Sequence, residues 1–169
     1  MNCFLAAHGT GKTTLAREIV KRKDGLYVTD AFARPIKRAA AKTGLSDEQV
    51  QVLNFELMMW AQENYYDQNV LTTRSLFDSI IFARLLTPDL PFLPEIEEHV
   101  RMNKGRIKNI FYLPIEFPFV DDGVRYGAKL QSAYDEEIKK LVREYDLWNI
   151  VHRISGTVDE RLNQILTLL

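Results

Sequence analysis

Ala6-Ala7-His8-Gly9-Thr10-Gly11-Lys12-Thr13 lies where one hydrophobic period gives way to another. Before it, Asn2 to Ala7 is an apolar run of strand length. After it, Thr14-Leu15-Ala16-Arg17-Glu18 opens a helical period that continues through Ile19 and Val20. Strand, glycine-bearing loop, Lys-Thr and helix, in that order, match the phosphate-cradling pattern Gly-x-x-x-x-Gly-Lys-Ser/Thr, with Ala6 in place of the first glycine. Gly9 and Gly11 can take backbone angles closed to other residues, so consecutive amides converge on a β-phosphate. Lys12 then supplies a cation for the β- and γ-phosphates, and the Thr13 hydroxyl supplies a ligand for Mg²⁺. The helix N-terminus adds partial positive charge in the same direction. His8, Thr10 and Thr14 complete the expected nucleotide contacts, His8 as a residue that shapes the loop.

Outward from the cradle, strand-length apolar runs alternate with amphipathic stretches, the signature of a parallel sheet with crossover helices. The candidate strands are Asn2 to Ala7, Gly25 to Asp30, Asn69 to Thr73, Asn109 to Ile115 and Trp148 to Ile154. Helices are expected from Ala33 to Lys42, stopped by Gly44, and from a Ser46/Gln49 cap through Trp60 to about Tyr66. Others are expected over Leu76 to Leu86, Glu95 to Asn103, Lys129 to Tyr145 and Asp159 to Leu168. Pro91 to Pro94 reads as a turn or an extended lead-in, because proline lacks the amide that a helix interior uses.

The length suits one domain over residues 1–169. An apolar fraction of 46% and a charged fraction of 27% are those of an ordinary globular chain. No apolar stretch approaches the ~20 residues of a membrane-spanning helix, and the first residues lack signal-peptide character. Cys3, the single cysteine, falls in the first strand as a core residue. A cytoplasmic setting is the expectation, in the host if the chain is phage-encoded. The formal net charge of −1 argues against a global grip on nucleic acid, which needs a basic surplus. Local basic clusters at Lys21 to Lys23, at Arg34 with Lys37 and Arg38, and from Arg101 to Lys108 leave room for a local anionic site; the first reads as a solvated helix end.

The cradle alone does not separate kinase, GTPase, motor and clamp. The Asn-Lys-x-Asp element that reads guanine does not occur, and the third strand ends Leu71-Thr72-Thr73-Arg74-Ser75 without the paired acids of a hydrolytic motor. Kinases of small molecules hold an acceptor oxygen in line with the γ-phosphate and exclude water. Asp30, closing the second strand, either accepts the acceptor's proton or caps the following helix, with Arg34 close by in sequence. Arg74 either holds a substrate oxyanion or pairs with Asp78, and the two roles are compatible. Residues 116–129 read as a lid, stiffened by Pro118 and jointed by Gly123 and Gly127. On it, Arg125 is placed to neutralise charge on the transferred group, and Asp121 and Asp122 to assist Mg²⁺ or fix the hinge. Gly156, in the turn after the last strand, lets backbone approach an adenine ring. Phe55, Trp60, Gln62 and Glu63 on the long third helix either wall the acceptor pocket, with Gln62 or Glu63 reading a base edge, or are plain core and surface. His99 and His152 show no metal-ligand spacing.

Together, the cradle, the second-strand acid with its nearby arginine, Arg74-Ser75-x-x-Asp78, Asp121-Asp122-Gly123-x-Arg125 and the closing Gly156-x-x-x-x-Arg161-Leu162 resemble the kinase branch of P-loop proteins. They are closest to the nicotinamide riboside kinase-like and thymidylate kinase-like ATP-binding domains of bacteria and phages. The resemblance implies a three-layer α/β sandwich of the P-loop NTPase type, with a five-stranded parallel sheet of order 2-3-1-4-5 and helices on both faces. It implies an ATP- and Mg²⁺-dependent transfer of the γ-phosphate to a nucleoside, a nucleotide or a similar hydroxyl. A related phage subgroup phosphorylates hydroxymethyluracil already within DNA, so DNA stands as an alternative acceptor; an ATP-binding switch or clamp is the alternative from another class. A dimer is compatible with the sequence. Where many relatives carry an acid before the Arg-Ser pair, this chain has Thr73. The catalytic carboxylate therefore falls to Asp30 or is missing.

Overall fold

The computed structural model describes residues 1–29, 33–65, 69–119 and 127–169, leaving aside the side chains of 33–35, 37 and 65. Its strands are β1 (Asn2–Leu5), β2 (Tyr27–Thr29), β3 (Val70–Thr72), β4 (Asn109–Tyr112) and β5 (Val151–Arg153). The helices are α1 (Lys12–Arg22), α2 (Ala33–Thr43), α3 (Asp47–Tyr65), α4 (Leu76–Leu86), α5 (Leu93–Asn103), α6 (Ala128–Glu144) and α7 (Val158–Leu168). All strand pairings are parallel, in the order β2-β3-β1-β4-β5. The α/β class and the strand order expected from sequence are therefore observed.

β1, β3 and β4 are the inner strands and are buried along their whole length, so they read as continuous apolar runs. Alternate residues of β1 then serve two cores. Cys3 and Leu5 pack with Phe77, Ile80, Tyr134 and Ile138 of α4 and α6 on one face. Phe4 packs with Leu15, Ile19, Leu162 and Ile165 of α1 and α7 on the other. Burial drives the Cys3 thiol pKa far above its usual value, as expected of a core residue. No helix of the described residues is long and apolar enough to cross a membrane.

Every strand is shorter than its apolar run suggests. Ala6, Ala7 and Leu113 are fully buried yet lie beyond the ladder, because burial continues into the loops at the C-terminal sheet edge after strand pairing has stopped. Trp148 is corrected more strongly: it lies in a turn before β5 and is 61% exposed. A second correction concerns Pro91 to Pro94. Phe92 caps α5, and Pro94 sits in its first turn, where the missing N–H has no intrahelical partner to lose. The reciprocal cap of α3 is present: Gln49 N–H donates to Ser46 Oγ at 3.3 Å, and Ser46 N–H to Gln49 Oε1 at 2.9 Å. Gly44, at φ 71°, ends α2 as expected.

Candidate active site

Because all strands are parallel, the segments following β1, β2, β3, β4 and β5 leave from one edge of the sheet, and ligands of open α/β sheets gather at such carboxyl ends. The loop after β1 turns on two left-handed glycines, Gly9 at φ 80° and Gly11 at φ 95°, and Gly11 is also the N-cap of α1. Lys12 is 8% exposed and arches back over the loop, its Nζ donating to the carbonyls of Ala6 at 2.5 Å and Ala7 at 2.6 Å. Thr10 Oγ1 donates to the Ala7 carbonyl at 2.9 Å, so this side chain braces the loop from within. Thr13 and Thr14 are exposed in the first turn of α1. The His8 ring meets Phe119 edge-on, with centroids 5.6 Å apart, and its carbonyl accepts from Gln131 Nε2 at 2.7 Å. These contacts suit its expected place as a shaper of the loop.

Arg161, of the closing Gly-x-x-x-x-Arg-Leu motif, lies against this loop. It is 1% exposed. Its Nε donates to Gly156 O at 2.9 Å, its Nη1 to Thr10 O at 3.0 Å and its Nη2 to Glu116 Oε2, while the guanidinium stacks over Phe117 at 4.8 Å. Glu116 also receives the Gly156 N–H at 3.0 Å. That backbone bond, followed by the bond from Arg161, holds the Glu116 carboxyl below the usual range. One visible signal existed: Val158, Arg161, Leu162 and Ile165 share a helical stripe, and a charge on an apolar stripe needs buried partners.

After β3, Arg74 Nη1 pairs with Asp78 Oδ1 at 2.9 Å, and Ser75 N–H donates to Asp78 Oδ2 at 2.7 Å, so Asp78 both holds the arginine and caps α4. The Tyr134 hydroxyl adds a short bond to Asp78 Oδ1, and the Arg74 guanidinium lies over Phe82 at 5.3 Å. Burial works against the charge on Arg74, but Asp78 and Tyr134 outweigh it and hold the guanidinium pKa above its usual value. Burial, with Asp78 next, pushes the Tyr134 phenol well up.

A small cavity opens between α3 and the ends of β2 and β3. Met58, Ala61 and Gln62 line it from α3, with Thr29, Arg74 and Ser75 opposite. Gln62 is 3% exposed and its Nε2 donates to Asn103 O at 3.2 Å. Two buried polar atoms here have no partner among the described residues: Gln62 Oε1 and Arg74 Nε. Trp60 is 50% exposed and Glu63 is exposed, and neither lines this cavity. Asp30, Asp121, Asp122 and Arg125 lie outside the described residues, and Arg34 falls in the first turn of α2 with its side chain outside them. Gly156 is placed at φ 101° in the turn after β5. Among the described residues no three His, Cys, Asp or Glu side chains gather as a metal site.

A family model described as AAA domain matches residues 2–161. The chain belongs to this AAA domain family. No curated protein sequence matches it. Solved structures similar to this AAA domain include NadR in complex with NR, at a TM-score of 0.68 and 19% identity over 98% of this chain and 49% of NadR. They include deoxyadenosine kinase from M. mycoides with products, at 0.71 and 13% identity over 98% and 95% of the two chains. Thymidylate kinase from Candida albicans follows at 0.70 and 13%, over 98% and 88%. The chain spans about half the length of NadR. The fold of this AAA domain is that of a P-loop nucleoside or nucleotide kinase-like domain.

Proposed function

We propose that this AAA domain is an ATP-dependent phosphotransferase that moves the γ-phosphate to a hydroxyl of a nucleoside, a nucleotide or a modified nucleobase. The observation that carries the reading is the loop after β1, with its two left-handed glycines and the buried Lys12 arched over it. Beside β2 and β3 lies a small cavity, lined by Met1, Thr29, Gln62 and Arg74 among others, in which Gln62 Oε1 and Arg74 Nε have hydrogen-bonding capacity to spare. Gln62 Oε1 requires a donor and Arg74 N–H an acceptor; in this reading the small cavity widens to admit the polar edge of the acceptor, which supplies both.

In this reading the amides of Gly9 to Thr14 and the Lys12 ammonium bind the β- and γ-phosphates. The exposed Thr13 hydroxyl fits Mg²⁺, which keeps most of its waters and needs few protein ligands beside phosphate oxygens. The ion supplies neutralisation of phosphate charge. Lys12 Nζ exchanges its two carbonyl contacts for phosphate oxygens when nucleotide enters. Arg74 orients the acceptor through its free Nε while Asp78 keeps its other side fixed. By their sequence roles, Asp30 is assigned the acceptor's proton, Arg34 a contact to the acceptor and Arg125 the charge on the transferred group; Gly156 backs the adenine.

The test is a screen of nucleosides, nucleotides and hydroxymethyluracil-containing DNA with γ-labelled ATP. Label transferred to an acceptor supports the reading, and the identity of that acceptor distinguishes free nucleotide from DNA. ATP consumption at the same rate with and without every acceptor contradicts it.

A further inference from the structure

The loop's carbonyls are held by side chains that come from far along the chain. Gln131 of α6 is 4% exposed and donates to the His8 carbonyl at 2.7 Å. Arg161 of α7 is 1% exposed and donates to the Thr10 carbonyl at 3.0 Å. In a planar trans peptide the C=O and the N–H point in opposite directions. Fixing the His8 carbonyl therefore fixes the direction of the Gly9 N–H, and fixing the Thr10 carbonyl fixes that of the Gly11 N–H. Both glycines have positive φ and no side chain with which to restrain their own peptide units.

We propose that Gln131 and Arg161 are positioning residues for phosphate binding, each locking one peptide of the loop so that the Gly9 and Gly11 amides stay aimed at phosphate oxygens. The inference rests on the phosphate-binding reading above. Neither residue touches reacting atoms. The bonding of Arg161 favours this role over simple packing. A buried guanidinium carries a desolvation cost that hydrocarbon avoids. Here the planar fork joins three separate loops, those of Thr10, Glu116 and Gly156, which no apolar side chain can do. Preorganised amides raise affinity because the bound geometry is already present before the anion arrives.

The experiment titrates wild type, Gln131→Met and Arg161→Lys with Mg²⁺-tripolyphosphate and with Mg²⁺-ATP by calorimetry, and records ¹⁵N-amide spectra of the ligand-free proteins. Gln131→Met keeps the side-chain volume, removes the donor and leaves no buried charge unpaired. It is expected to retain a cooperative thermal transition, to shift the Gly9 amide, and to bind both ligands about tenfold more weakly, as losing one good hydrogen bond predicts. The factor should be equal for the two ligands, since the contact acts on phosphate alone. Arg161→Lys should weaken both at least as much and shift the Gly11 amide. If Arg161→Lys does not fold, Gln131→Met decides alone. A folded Gln131→Met protein that binds tripolyphosphate like wild type, or that loses ATP affinity but keeps tripolyphosphate affinity, overturns the inference. Wild type that binds neither ligand sinks the nucleotide reading as well, whereas wild type that binds beside unaffected variants sinks the positioning role only.

Discussion

The hydroxyl of Tyr134 on α6 and Nη1 of Arg74 after β3 converge on one carboxylate oxygen, Asp78 Oδ1, buried at the start of α4. Three elements thus meet on a single atom beside the cavity. Removing one partner leaves the others unequal to their burial. Asp78→Ala is expected to destabilise by about 3–5 kcal/mol, because it strands the Arg74 charge. Tyr134→Phe should cost about 1.5–3 kcal/mol, the loss of one hydrogen bond to a charged group. Urea unfolding of the two variants beside wild type checks both values, and equal midpoints would contradict the arrangement.

Gly156 stands at φ 101°, and a Cβ there would meet Glu160 Oε2 at 2.5 Å. That same oxygen receives the Thr157 N–H and hydroxyl in the cap of α7. Gly156→Ala must adopt a strained backbone and displace the cap. A loss of about 1–3 kcal/mol follows from the two effects. Thermal melting measures it, and an unchanged midpoint would show that the turn relaxes freely.

Glu116 gives stability a pH dependence of known sign. Its folded pKa is depressed by the Gly156 N–H and Arg161, so its contribution is complete above the ordinary glutamate value of about 4.3 and is lost as pH falls through the lower folded value. Glu116→Gln should therefore flatten the stability profile between that ordinary value and more acid pH, while the profile near neutrality keeps its slope. Denaturant midpoints taken from pH 6 to pH 2.5 read this out. Parallel curves for the two proteins across the acid range would contradict it.

What was legible in the sequence was what local chemistry encodes. The cradle is a contiguous run, and the Ser46/Gln49 cap spans four residues, so each is written within one turn of chain. The parallel sheet showed in its apolar runs, but their ends did not. Ala6, Ala7 and Leu113 are as apolar and as buried as their strands, and only hydrogen bonding tells ladder from loop. Pro94 misled because a proline forbidden in a helix interior is welcome in its first turn. The Arg74 and Asp78 pair lies at helical spacing and was foreseen. The bonds of Arg161 to Thr10 and of Gln131 to His8 span 151 and 123 positions; the apolar stripe of α7 marks Arg161 as needing buried partners, but no local pattern says which.

Under the proposed reading, Gln62 contributes to the choice of acceptor. Gln62→Met keeps the volume and removes the unpartnered Oε1 from the cavity. With an acceptor found by the screen, KM for that acceptor should rise about 10-fold or more, with KM for ATP unchanged, since a site that hydrogen-bonds a polar edge loses that bond outright. A rise in KM for ATP alone would place Gln62 on the wrong substrate.

The ammonium of Lys12 bonds the Ala6 and Ala7 carbonyls, and the proposed function requires it to exchange them for phosphate oxygens. The direct measurement is the dissociation constant of Mg²⁺-ATP, with the matching turnover, for wild type and Lys12→Ala. Wild type should bind saturably and Lys12→Ala at least about tenfold more weakly, the loss of a charge-assisted contact, with turnover lost as well. Wild-type affinity and turnover in Lys12→Ala would contradict it.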